Sequence, residues 1–204
     1  MNALANSDVG NYVNKHFVSS FLKVGTFTVA NGQKQGGNVA SYFCTPEGQV
    51  LHAIAGPVNS DKFLREARWV VETWKLAEFE TKGNLAKERE VFATAHAERL
   101  ERDHGFDTRR MGRPAVTQTI AYYPQRTMPR PAPVPQGDGN FEDPMDRLTM
   151  TKMRILDRNQ NQDNETRVHL LLLNFPMVKI ESVYRYVFEK ILNEKVSNLP
   201  VAQR

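Results

Sequence analysis

Between Val39 and Trp74 the sequence leaves few options for folding. It reads VASYFCTPEGQVLHAIAG and then PVNSDKFLREARWVVETW: an apolar run, a turn, a second apolar run and an amphipathic helix. Thr45-Pro46-Glu47-Gly48 puts proline where a tight connection needs a preset φ and glycine where it needs a permissive residue. Two β-prone runs joined by such a turn predict a hairpin. Asn59, Ser60 and Asp61 then offer N-cap oxygens to the free amides of a helix from about Asp61 to Phe79. Phe63, Leu64, Ala67, Val70, Val71, Trp74 and Leu76 mostly follow the three-to-four spacing of a single buried face.

The flanks are less constrained. Residues 7–16 predict a short helix capped by Ser7 or Asp8, with Val9, Tyr12, Val13 and Phe17 on one side. HFVSSFLKVGTF predicts a strand, and the polar, glycine-rich 31–37 a loop. Beyond the break at Lys82-Gly83, Leu85 to Asp103 resumes a helical pattern with a weak apolar stripe (Leu85, Val91, Phe92, Ala95, Leu100), supported by charge pairs such as Glu98–Arg102. Seven of the eleven prolines fall between 114 and 144, so this stretch is expected to be extended and poorly packed. Residues 157–166 predict a solvated loop. RVHLLLLNF should be helical up to Pro176, and Ile180 to Leu192 forms a second amphipathic helix. Such a helical hairpin cannot bury its apolar face alone and must dock on something. The expected division is a domain over 1–80, a helical extension over 81–104, a Pro-rich, basic, largely disordered linker over 105–163, and a C-terminal helical hairpin over 164–204.

Cys44 is the only cysteine, which excludes an internal disulfide framework. Without partner cysteines a zinc site would need clustered histidines, and His16, His52, His96, His104 and His169 are scattered along the chain. No metal and no cofactor is therefore expected. No apolar run approaches the ~20 residues of a membrane span, and no signal-peptide pattern opens the chain, so the default expectation is a cytoplasmic protein. Residues 1–80 are neutral, and the whole excess charge of +4 lies beyond them. Arg109, Arg110, Arg113, Arg126 and Arg130, interleaved with Tyr122 and Tyr123, are candidate contacts for a partner or a nucleic acid. A solvated basic connector is the plainer reading, and a protein is the expected partner.

Among single residues, Cys44 is the one candidate thiol. Late in a predicted strand, with no cation or helix N-terminus nearby in sequence, it reads as a small buried hydrophobe. His52 has no acid at a fixed spacing to orient it, and His16 likewise reads as a packed or surface residue. His96 and His104, eight apart on or just beyond a helix, can share a face but have no carboxylate cluster beside them. Lys34 in NGQKQGG invites a phosphate-cradle reading, yet the loop lacks the spacing and Lys-Ser/Thr ending of a P-loop.

The order helix, strand, loop, hairpin, closing helix over residues 3–78 resembles the later part of a thioredoxin-like fold. NKHFVSSFLKV resembles the helix end and strand that follow the active site in that family, VASYFCTPEGQVLHAIAG its β-hairpin, and PVNSDKFLREARWVV its closing helix. The resemblance implies an α/β fold with a partial thioredoxin-like sheet and flanking helices, followed here by a helical C-terminal extension. It also implies a Cys-x-x-Cys motif at the start of the first long helix and a cis-proline before the hairpin strand. Neither is present; the proline position falls at about Val39, where a trans bond is expected because a non-proline cis bond costs ~2.5–4 kcal/mol. The expected function is a redox-inactive thioredoxin-like protein with a binding or scaffolding role. The alternative is a thiol–disulfide oxidoreductase whose Cys-x-x-Cys lies upstream of Met1.

Overall fold

The computed structural model describes residues 3–22, 27–30, 33–36, 38–108, 152–194 and 196. The proline-rich stretch and Arg109, Arg110, Arg113, Arg126 and Arg130 lie outside the described residues. The elements are α1 (Ser7–His16), β1 (Phe27–Ala30), β2 (Gln33–Gly36), β3 (Ala40–Cys44), β4 (Val50–Ala55), α2 (Ser60–Thr81), α3 (Leu85–His104), α4 (152–158), α5 (Asn164–Asn174) and α6 (Ile180–Tyr186), which continues as π-helix over Val187–Ile191.

Short Asx side chains set the helix starts. Asn6, Asn59, Asn84 and Asp163 each accept a hydrogen bond from a first-turn amide of α1, α2, α3 and α5, satisfying donors that would otherwise be orphaned. The cap of α1 is thus Asn6, not Ser7 or Asp8. The turn after β3 closes with Gly48 N–H donating to Thr45 C=O at 2.9 Å, and Gly48 takes φ +79°. A type I turn followed by a left-handed residue is a common way to join antiparallel strands while keeping their twist.

The architecture is mixed α and β, with two antiparallel ribbons, β1–β2 and β3–β4. Among the described residues β3 pairs with β4 alone. Of the strand expected over 16–27, Phe17 to Leu22 are not strand and residues 23–26 lie outside the described residues; β1 includes Phe27. The loop expected over 31–37 contains β2, paired with β1 from Phe27↔Gly36 to Ala30↔Gln33. A two-stranded ribbon needs only backbone pairing, so its polar second strand carried no apolar signal. Residues 178–180 cover the start of the β4 edge: Val50 N–H donates to Val178 C=O, and Ile180 N–H to Gly48 C=O.

Strand β4 is buried on both faces, which is why its sequence, VLHAIA, is apolar at every position but His52 rather than alternating. On one side Phe43, Leu51 and Ile54 pack with Val9 of α1, Phe63, Ala67 and Val70 of α2, and Phe92 of α3. On the other, Val50 and Ala53 pack with Leu170 to Leu173 of α5, Leu100 of α3, and Val183, Val187 and Ile191 of the last helix. The C-terminal helices therefore belong to the central core. Leu156 of α4 is also buried there, so the boundary expected at 163 falls within packed structure. Sequence distance hides this, because the long proline-rich insertion separates elements that close one core. No helix among the described residues is long and apolar enough to cross a membrane. Leu170 is fully buried in this core, so Leu170→Ala is expected to lower stability by about 2–5 kcal/mol, measured as a shift in urea midpoint.

Candidate functional site

Where β4, α2, α3 and α5 meet, the apolar core gives way to a buried polar centre. Strand β4 contributes His52, α3 contributes His96 and Arg99, α5 contributes His169, and α2 contributes Glu66 with Trp69 beside it. His52, Glu66, His96, Arg99 and His169 are all buried. The periodicity of α3 explains part of this: Glu88, Phe92, His96, Arg99 and Leu100 are buried together, and their three-to-four spacing aligns them on one face. The inward stripe is thus half polar, whereas the expected stripe counted only apolar residues; Leu85, placed on it, is exposed.

Glu66 anchors the centre. Arg99 Nη2 donates to its Oε1 at 3.1 Å while Nη1 donates to Oε2, and His52 Nε2 lies 3.3 Å from Oε2. Burial alone would raise the Glu66 pKa, but the bonds from His52 and Arg99 outweigh it and hold the carboxyl well below the usual range. Arg99 also donates through Nε to Asp103 Oδ2 at 3.1 Å and lies over the Trp69 ring, 5.0 Å from its centroid. The missing acid beside His52 is therefore supplied by α2, fourteen positions away.

The hydrogen bonds assign tautomers. His96 Nε2 lies 3.0 Å from Leu51 C=O, which can only accept, so Nε2 carries the proton and Nδ1 is bare in the neutral ring. His96 Nδ1 lies 2.8 Å from His169 Nδ1; His169 must then donate from Nδ1, leaving its Nε2 bare. His52, donating to Glu66 from Nε2, keeps a bare Nδ1. Both His52 Nδ1 and His169 Nε2 are buried with no hydrogen-bond partner among the described residues. Burial holds all three rings neutral. It pushes the His96 pKa down to about 3, aided by His52 and Arg99, pushes His169 well below its ordinary value, and lowers His52 against the opposing pull of Glu66.

His52, His96 and His169 each present a ligand-type atom within 4.8 Å of the others'. The histidines that are scattered in sequence therefore converge in space. His104 joins the edge of the centre, its Nδ1 2.8 Å from Thr166 Oγ1 and its ring 5.8 Å from that of His169. With Glu165 and His169 it makes a second, less buried set. There, however, Glu165 already holds Lys62 Nζ at 2.5 Å and faces Arg99 at 3.8 Å. A cavity of about 410 Å³ lined by Arg65, Trp69, Arg99, Arg102, Asp103, His104 and Glu165 opens against this side. His16 packs on Tyr12 of its own helix, outside both sets.

Cys44 sits at the end of β3, partly buried against the core. Burial and, secondarily, the Glu181 carboxylate push its thiol up to about 11. The residues expected to contact a partner or nucleic acid fall outside the described residues, and the side chain of Lys34 is likewise not described. No protein-family model matches the chain, and neither the curated proteins nor the solved structures contain a match to it.

Proposed function

We propose that this chain is a redox-silent binding protein in which a thioredoxin-like scaffold over residues 1–80 presents an apolar surface to a protein partner. The observation that carries the reading is the segment after α1. Val18 and Phe21 are fully exposed and Leu22 is 79% exposed, three large apolar side chains within five residues. Covering each with a partner is worth roughly 1.5–3 kcal/mol, and clustered exposed apolar groups of this kind mark interaction sites. The state of Cys44 supports the redox-silent half of the proposal. A thiol raised to about 11 is almost entirely protonated at neutral pH, and only the thiolate attacks disulfides. Cys44 in the native chain should react with a small disulfide reagent at pH 7.5 at least ~100-fold more slowly than free cysteine.

The binding half is tested with the full chain and a Val18→Ser/Phe21→Ser/Leu22→Ser variant of matching thermal stability as baits. Proteins retained by the first and lost by the second are expected. Identical retention by both would remove the basis for the reading, as would dithiol-driven reduction of insulin by the native chain.

A further inference from the structure

We propose that His52, His96 and His169 form a binding site for one divalent transition-metal ion of the zinc class, held by imidazole nitrogen alone. Three observations carry this. The rings come from three separate elements, are fully buried, and place ligand-type atoms within 4.8 Å of one another; zinc–nitrogen bonds of about 2.1 Å at tetrahedral angles need separations of about 3.4 Å. Two of the unprotonated nitrogens, His52 Nδ1 and His169 Nε2, are buried acceptors with no donor among the described residues to satisfy them, an arrangement that loses hydrogen-bonding free energy unless something electron-poor enters. Finally, the opposite nitrogens are already held as those of metal-bound histidines usually are, His52 Nε2 by the Glu66 carboxylate and His96 Nε2 by the Leu51 carbonyl.

The surroundings agree with a divalent ion. The charged groups set into the centre are Glu66 and Arg99, which neutralise each other, so the ion would meet three neutral rings with no net opposing charge. The His96–His169 contact opens to let both rings turn toward the ion. The set formed by His104, Glu165 and His169 is the weaker candidate because the Glu165 carboxylate is already occupied by cations. The donor set of three imidazoles suits Zn²⁺, Co²⁺, Ni²⁺ or Cu²⁺ and not Mg²⁺ or Ca²⁺, which take oxygen ligands.

The test uses the full chain, stripped with chelator and titrated with Zn²⁺ by calorimetry and with Co²⁺ by visible absorption. One equivalent of each is expected, with no uptake of Mg²⁺. His96→Gln and His169→Gln should each weaken binding at least ~100-fold, while His16→Gln and His104→Gln leave it unchanged. Because a core variant can lose its fold, the native chain is also followed by imidazole ¹⁵N resonances. Zn²⁺ should shift those of His52, His96 and His169 and not that of His16. The proposal is overturned if the folded native chain takes up neither ion, if only a buried water satisfies the orphaned nitrogens, if His104→Gln abolishes binding, or if the shifted resonances belong to other histidines.

Discussion

Arg99→Ala is expected to destabilise the folded chain by about 3–5 kcal/mol, the usual effect of removing one partner from a buried ion pair. The Glu66 side chain is 1% exposed and that of Arg99 6%, so neither can turn to water when its partner is lost. The guanidinium closes on both carboxylate oxygens, bonds Asp103 and covers the Trp69 face. Alanine therefore leaves Glu66 ionised in the core with His52 as its remaining buried partner, and strips one face of Trp69 as well. Arg99→Lys should fall between native and alanine, since it keeps the charge and loses the two-pronged geometry. Replacing both residues together with leucine should recover much of the loss, because the desolvation of both charges disappears. Urea unfolding gives the answer as a midpoint shift at constant slope. A change below about 1 kcal/mol for Arg99→Ala would mean that the pair is solvated in solution and that the polar centre is not closed.

Acid should destabilise the chelator-treated protein well above the pH at which its surface carboxylates titrate. A base whose folded pKa lies below its unfolded value binds fewer protons when folded, so lowering the pH favours the unfolded chain. For His96 the two values are about 3 and 6.5; its contribution is intact above pH 6.5 and is lost progressively down to about pH 3. At pH 5 this one ring removes about 2 kcal/mol. His169 and His52 are shifted the same way by burial, so their losses add over the same upper part of the window. Glu66, whose folded pKa is depressed, contributes stability that is present above 4.5 and lost as the pH falls further, in the same direction but later. Against the 5–15 kcal/mol typical of a domain, the loss from His96 alone is a sizeable fraction at pH 5, and the other two rings act in the same direction. The urea midpoint should fall steeply between pH 7 and pH 5, and a folded His96→Gln variant should show a shallower fall. A midpoint unchanged over that interval would contradict the burial of neutral rings.

How far the chain could be read in advance differs between its parts. The hairpin, its turn and α2 were legible because their signals are local: proline and glycine at Pro46 and Gly48, an Asx cap at Asn59, and a three-to-four apolar stripe. The β1–β2 ribbon was not, since Gln33 to Gly36 carry none of the apolar alternation that marks a strand facing a core. The thioredoxin-like reading of residues 1–80 rests on the same hairpin and helix and stays a proposal. The centre was invisible for a different reason. His52 has no acid near it in sequence because Glu66 reaches it from α2, and His96 pairs by spacing with His104 although it bonds His169, which lies across the proline-rich stretch. One clue was present in α3, where His96 and Arg99 share the spacing of Phe92 and Leu100.

Local chemistry, then, settled the turn, the caps and part of the buried face of α2 (Phe63, Ala67 and Val70 are buried, whereas Leu76 is exposed), since each depends on residues within a few positions of one another. Only the packing of β4 between α2 and α5 decided that three distant histidines, a glutamate and an arginine would share one buried space. Burial and proximity are properties of the closed core, and no residue carries either in its own identity.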